Sequence, residues 1–433
     1  MKLRILALCA LVACGSESGA MIDAGDDLRV VESGPEDAPQ DPPTDSPADA
    51  AADAPEDVAR DAPVDANVDV PADSAFPDAG RTPGVIDITD DAMDPRRGFT
   101  ASIAGDGRLI VAGGTGGATT LVETWAFELR TNSWERLADL PAPHVRAAEH
   151  VLDDGRVLVA GGSPAQFATS TNQDVFVFDP ATDSWSAAGE MTVPRGQPQM
   201  HTLTVGPRSG EILMIGGEMR SPARTTFSAS LESYNATAET AQGFTATMPT
   251  GRASFMSWPL SDGRIAILGG YDRPGDPDGS ALDEILIFDP STDAITVAAA
   301  TLPEAGLLLL GGELEDGRLL ALPTRSSSSA IWAFDRDTFA ATRLGEVPPE
   351  QTNFGIAYAE TVFLFGGRRS GEVDDDILRF NRADGSWTRR EDLLSMPLAF
   401  IQPVPLPDGR FVLLGGQTTL DFLVGNTALF TPE

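Results

Sequence analysis

The sequence predicts an all-β domain of seven repeated four-stranded units over residues 85–433, preceded by an extended acidic segment. Three observations carry this expectation. A stretch built as a turn, a short run of small or branched apolar residues and usually a Gly pair recurs at 106–114, 154–162, 209–217, 262–270, 316–324, 359–367 and 408–416. Its copies end 43 to 55 residues apart, and self-similarity at a period near 50 marks a repeat architecture. Each period also holds further strand and turn signals that bring its strand count to four.

The elements follow in order within one unit. Asp154-Gly155-Arg156 opens as a tight turn, because Gly takes positive φ without steric cost. Val157-Leu158-Val159-Ala160 then reads as a strand buried on both faces. Gly161-Gly162 ends it where the backbone bends or no side chain fits. The fifth copy ends in Pro323-Thr324; Gly311-Gly312 precedes its Asp-Gly-Arg turn and is not its ending. After a variable loop comes a strand with an aromatic residue, a turn, and a partner seven residues on. These pairs are Phe127/Trp134, Phe178/Trp185, Phe288/Ile295 and Phe380/Trp387. The intervening turns include Asp179-Pro180-Ala181-Thr182-Asp183 and Asp289-Pro290-Ser291-Thr292-Asp293. The third unit departs, with Tyr234 and Phe244, and the fifth carries Phe339 early. A Pro-containing link such as Met191-Thr192-Val193-Pro194-Arg195 leads to another strand.

The seventh unit is short, since residues 426–430 form its third strand and the sequence ends at Glu433. Residues 85–89 form an unassigned strand, followed by Met93-Asp94-Pro95-Arg96-Arg97, which matches the approach to a unit. The expectation is that 85–89 completes the seventh unit and closes a ring, removing an exposed edge.

The strand-ending Gly pairs, the spaced aromatic and Trp, and Met191-Thr192-Val193-Pro194-Arg195 together resemble the kelch repeat. The domain is similar to kelch-type β-propellers of the galactose oxidase central-domain-like superfamily. The resemblance implies seven blades about a channel. It also implies that loops after the Gly pairs share one face with the blade-to-blade links, and the Asp-Gly turns lie on the other.

Ahead of the repeats, Lys2 and Arg4 precede a short apolar core, and Leu11-Val12-Ala13-Cys14-Gly15 resembles a bacterial lipobox. Residues 1–13 are expected to be a lipoprotein signal peptide and Cys14 the lipidated residue. Residues 14–84 are expected to be a disordered tether rich in Asp, Ala and Pro. The expected location is export with lipid anchoring to the cell envelope, at the outer membrane or cell surface, the membrane being met only through that anchor. The formal net charge is −35. After the two cations of 1–14 and the 18 acids and 3 arginines of 15–84, about −22 is left for the repeats, which argues against nucleic acid as a partner. Cys9 and Cys14 are the only cysteines, so the repeats have no disulfide or thiolate site. A monomer is expected.

Candidate binding residues fall near the blade links. Arg97, Arg146, Arg195 and Arg252 recur just after them, as a guanidinium set suited to a carboxylate or acidic sugar, or as braces between blades. His150 and His201 fall in innermost strands of neighbouring units. With a tyrosine they are similar to part of the galactose oxidase copper site, but the crosslinking cysteine is missing. Asp272, Asp276 and Asp278 are weak calcium candidates in one acidic loop, and Asp374-Asp375-Asp376 offers the same two readings, ion site or solvated turn. Glu149 beside His150 reads as adjacency, because neighbouring strand residues point to opposite faces. No catalytic motif and no cofactor are expected. The expected function is a non-catalytic module that binds a protein or glycan through the loop face. The alternative is a carbohydrate-modifying enzyme, epimerase-like or a degenerate oxidase, on the same ring.

Overall fold

The computed structural model describes residues 84–88, 93–116, 119–274, 280–305, 308–314, 316–323, 329–352, 354–359, 361–370, 372–391, 393–418 and 427–432. The signal segment, Cys14, all of the tether before Gly84, Asp276 and Asp278 lie outside the described residues.

The described chain is all-β and forms a seven-bladed propeller. Blade 1 runs Thr100–Ile103, Leu109–Ala112, Thr124–Glu128, Ser133–Arg136. Blade 2 runs Ala148–Val151, Val157–Ala160, Asp174–Asp179, Ser184–Glu190. Blade 3 is Gln199–Thr202, Ile212–Ile215, Ser230–Asn235, Thr240–Thr247. Blade 4 is Met256–Pro259, Ile265–Leu268, Glu284–Asp289, Ala294–Thr301. Blade 5 follows with Leu308–Glu313, Leu319–Pro323, Ala330–Phe334, Ala341–Glu346. Blade 6 has Gly355–Ala359, Thr361–Arg369, Glu372–Phe380, Trp387–Arg390. Every strand pairs antiparallel with its neighbour, and the first strands of successive blades lie side by side around the channel. As expected, Gly311-Gly312 lies in the innermost strand of blade 5 and the Asp316-Gly317-Arg318 turn leads into its second.

Blade 7 is Gln402–Pro405, Phe411–Leu414 and Thr427–Thr431, and its outer strand is Gly84–Ile88. Gly84 pairs with Thr431 and Ile88 with Thr427. The ring therefore closes through the N-terminal strand, one residue earlier than the sequence reading placed it.

Alternating burial holds the blades together. Leu158 and Ala160 pack toward blade 3, with Ile212 and Met214. Val157 and Val159 pack toward blade 1, with Ile110 and Ala126. A strand with period-two side chains and two buried faces supplies both neighbours at once. The same rule joins blade 1 to blade 7, where Leu109 and Val111 meet Val412 and Leu414. The spaced aromatics face each other across the outer two strands: Phe127 and Trp134 stand 5.1 Å apart, and Phe178 and Trp185 5.2 Å.

Candidate functional site

The links between blades carry the arginines, and the structure divides the four predicted ones into separate positions. Five links make a two-residue bridge to the loop after the Gly pair, pairing Arg97 with Thr115, Val145 with Ser163, Gly196 with Glu218, Ala253 with Tyr271 and Ala399 with Gln417. The next residue takes a left-handed backbone: Gly98, Arg146, Gln197, Ser254 and Phe400. The residue before the bridge is Arg96, His144, Arg195, Arg252 or Leu398.

Arg195 and Arg252 belong to this preceding position and are fully buried. Arg195 donates through one terminal nitrogen to the carbonyls of Gly216 and Ser230, and lies 2.9 Å from Glu232. Arg252 donates to the Gly269 carbonyl and pairs with Glu284. Arg96, which the sequence reading passed over, does the same with Gly113 and Glu123. Gln351 replaces the arginine in blade 6, donating to Gly366 O and Asp374. Burial lowers the pKa of all three arginines by desolvation, opposed by the paired acids. The four arginines therefore do not form one ligand-facing ring; Arg195 and Arg252 brace their own blades. A spacing signal existed, since Arg96 and Arg252 each stand 17 residues before the glycine whose carbonyl they bind.

The brace explains the Gly pair. The first glycine's carbonyl receives the guanidinium, and the second glycine's N–H donates to the backbone carbonyl of the next brace residue, as Gly162 does to Arg195 at 2.9 Å. A Cβ on Gly161 would stand 2.1 Å from that same Arg195 oxygen, and both glycines have positive φ, 70° and 84°.

Arg97 and Arg146 are different. Both are half-buried, and neither side chain makes a hydrogen bond or ion pair among the described residues. The Nε atoms of both are buried without an acceptor. They share one junction, because the Arg146 N–H donates to Gly98 O at 2.7 Å. The Arg146 side chain runs over Gly98, with its Cγ 3.3 Å from where a Cβ would sit.

Below them, the innermost strands carry the titratable groups. His150 shares a 2.9 Å hydrogen bond with Thr202, and His201 one of 2.7 Å with Ser257, each reaching the next blade. Desolvation lowers His150 to about 4 and His201 to about 3, the latter helped by His150 nearby. Glu149 points the other way, toward the Ala101 N–H of blade 1, and burial pushes it up to about 8. That shift is not visible from adjacency alone. His144 occupies the brace position of blade 2, buried, with burial lowering it to about 4. Tyr234 sits in the third strand of blade 3, its hydroxyl donating to Ala188 O.

Of the calcium candidates, Asp272 is half-buried and lies 3.5 Å from Arg273. Asp374 and Asp376 are buried against Arg389, with Arg369 3.5 Å from Asp374. Those guanidiniums neutralise the carboxylates that a cation would need. On the loop face, Phe167 is 82% exposed, and Arg220 from the neighbouring blade donates to the flanking carbonyls of Gln166 and Ala168. On the opposite face, four turns repeat one ion pair. Asp154–Arg156, Asp262–Arg264, Asp316–Arg318 and Asp408–Arg410 pair within their own turns.

A kelch motif matches residues 96–141, which span the first blade and its brace. The described residues form a seven-bladed β-propeller whose first blade matches the kelch motif. The chain is 26% identical over 136 residues to the spermatocyte protein spe-26 of Caenorhabditis elegans, covering 29% of this chain and 24% of that protein. It is 31% identical over 92 residues to an F-box/kelch-repeat protein of Arabidopsis thaliana, covering 21% of this chain and 19% of that protein. It thus spans about a quarter or less of these relatives. The solved structure of YjhT is similar with a TM-score of 0.48 and 17% identity, over 69% of this chain and 97% of that one.

Proposed function

We propose that the propeller is a non-catalytic binding module that engages a protein or glycan through its loop face. The observation that carries this reading is the asymmetry of the two faces. On one, four turns pair their Asp and Arg internally; the other carries long unlike loops, a propped exposed phenylalanine and two unpaired arginines. Variable loops on a rigid scaffold suit recognition, and an aromatic beside a guanidinium suits a protein partner. The test is site-specific photo-crosslinking in the source cells. A crosslinker at Phe167 yields a discrete adduct, and one at Asp154 or Asp262 yields none. Equal adducts from both faces, or none from either, overturn the reading.

The module is proposed to stand at the cell envelope on its acidic tether, anchored through Cys14. The lipobox-like residues 11–15 support this. Labelling cells with a fatty-acid analogue tests it: label on the wild type is abolished by Cys14→Ser, and label that persists in that variant removes the anchor.

One observation favours the alternative of a carbohydrate-modifying enzyme. Glu149 is a half-buried carboxyl raised to about 8 by burial, on the innermost strand that also carries His150. Saturable turnover of a sugar by the purified domain, lost in Glu149→Gln, would replace the binding reading.

A further inference from the structure

We propose that Arg97 and Arg146 form a carboxylate-binding subsite at the junction of blades 1 and 2. Its ligand is an Asp or Glu side chain carried by an otherwise neutral or basic segment of a protein partner. This rests on the binding reading above and names the chemistry of its contact.

Three observations converge. The first is the pairing of cations elsewhere. Arg96, Arg108, Arg156, Arg195, Arg252, Arg264, Arg318 and Arg410 all meet a carboxylate within 3.5 Å. In a domain with formal charge near −22, acids are plentiful, yet Arg97 and Arg146 have none among the described residues. The second is burial. Each holds its Nε out of solvent without an acceptor, while its terminal nitrogens are not buried and make no bond among the described residues, leaving them to meet a ligand. The third is register. At the Arg97 position other blades place Val145, Gly196, Ala253 and Ala399; at the Arg146 position they place Gly98, Gln197, Ser254 and Phe400. The fold thus needs no cation at either place. Arg146 also holds a φ of 57°, where blade 1 uses glycine.

The guanidinium fork matches a carboxylate with two parallel N–H···O bonds. The rest of the domain repels anions at longer range, since its excess charge is negative. A single carboxylate on a neutral or basic segment satisfies both fields, and a run of acids does not.

The other blades supply the substitutions for the test. Arg97→Ala copies blades 4 and 7, and Arg146→Gly copies blade 1, so both variants are expected to fold with unchanged or higher Tm. Lys at either position keeps the charge and loses the fork. Arginine Nε–H signals of the wild-type domain are followed by NMR while capped hexapeptides are added. These carry one central Glu flanked by Gly and Lys, or Gln in place of Glu, or four consecutive Glu; inorganic phosphate is a separate titration. The expected result is that the Arg97 and Arg146 signals shift with the single-Glu peptide and not with the Gln peptide. Affinity falls about tenfold or more in each neutral variant. Equal shifts with the Gln peptide, no shift at about 5 mM peptide, or tighter binding of phosphate or the four-Glu peptide overturns the proposal. The crosslinking at Phe167 separates the two levels. An adduct that persists undiminished in the Arg97→Ala, Arg146→Gly double variant removes the subsite and leaves the binding module. Absence of any adduct in the wild type removes the binding reading itself.

Discussion

The Arg195 guanidinium lies 2.9 Å from the Glu232 carboxylate with both side chains fully buried. The contact is an ion pair lying off the N–H axis, while the other Glu232 oxygen accepts from the Thr192 N–H at 2.6 Å. Glu232→Leu leaves a buried cation with carbonyls and the Ser230 hydroxyl alone, and the expected loss is about 3–5 kcal/mol. Arg195→Leu with Glu232→Leu removes both charges, and its loss is expected to fall below the sum of the single variants. Urea unfolding of the four proteins measures the difference; additive losses would show that the pair is not coupled.

The Gly pair makes a second prediction. Gly161→Ala places a methyl 2.1 Å from the Arg195 carbonyl, so the link must move and the loss exceeds about 3 kcal/mol. Gly409→Ala meets nothing within 4 Å and carries only the cost of its φ of 85°, about 1 kcal/mol. Equal midpoints for the two variants would refute the role of the close approach.

Deleting residues 84–88 tests ring closure. The Thr427–Thr431 strand would lose its partner and present an open edge. The expected result is a Tm lower by several degrees and concentration-dependent association in sedimentation. A monomer with unchanged Tm would mean that the strand contributes nothing to closure.

The channel groups pull stability in opposite directions with pH. His150 and His201 have folded values of about 4 and 3, below the unfolded 6.5. The unfolded chain takes up protons first, so their contribution is full above about 6.5 and is lost as pH falls toward 4. Glu149 lies at about 8 when folded and 4.5 when unfolded, so its contribution is full below 4.5 and is lost as pH rises toward 8. His150→Gln with His201→Gln should flatten the acid limb between pH 6.5 and 4. Glu149→Gln should gain about 1–3 kcal/mol on the wild type at pH 8 and nothing at pH 4.5. Unfolding midpoints at pH 4.5, 6 and 8 decide both.

The repeating backbone was legible because its physics is local. An Asp-Gly turn, a two-faced strand and a Gly pair each state their own geometry, and repetition fixed the blade count even where Pro323-Thr324 replaced the glycines. Residues 85–89 were readable as the missing strand because blade 7 was one strand short. The arginines were not, because their roles depend on a one-residue register. Arg96 and Arg97 are adjacent and chemically identical, yet one is buried on a carbonyl and the other has no acceptor. Turns of unequal length between the first two strands hide that register: the brace spacing is 17 residues in blade 1 and 21 in blade 3. Glu149 was hidden for another reason, since its pKa is set by what blade 1 packs against it.

Because Gly84 lies opposite Thr431, the first and last described strands end about one strand spacing apart. The order in which the blades are synthesised is then separable from the order in which they stand. A short bridge from 432 to 84, with new ends opened at Gly210 where a Cβ meets nothing within 4 Å, gives a circular permutant with every blade intact. Attached by its new end, such a molecule hangs from the Asp-Gly face of blade 3, and the direction in which it offers its loops becomes a matter of design.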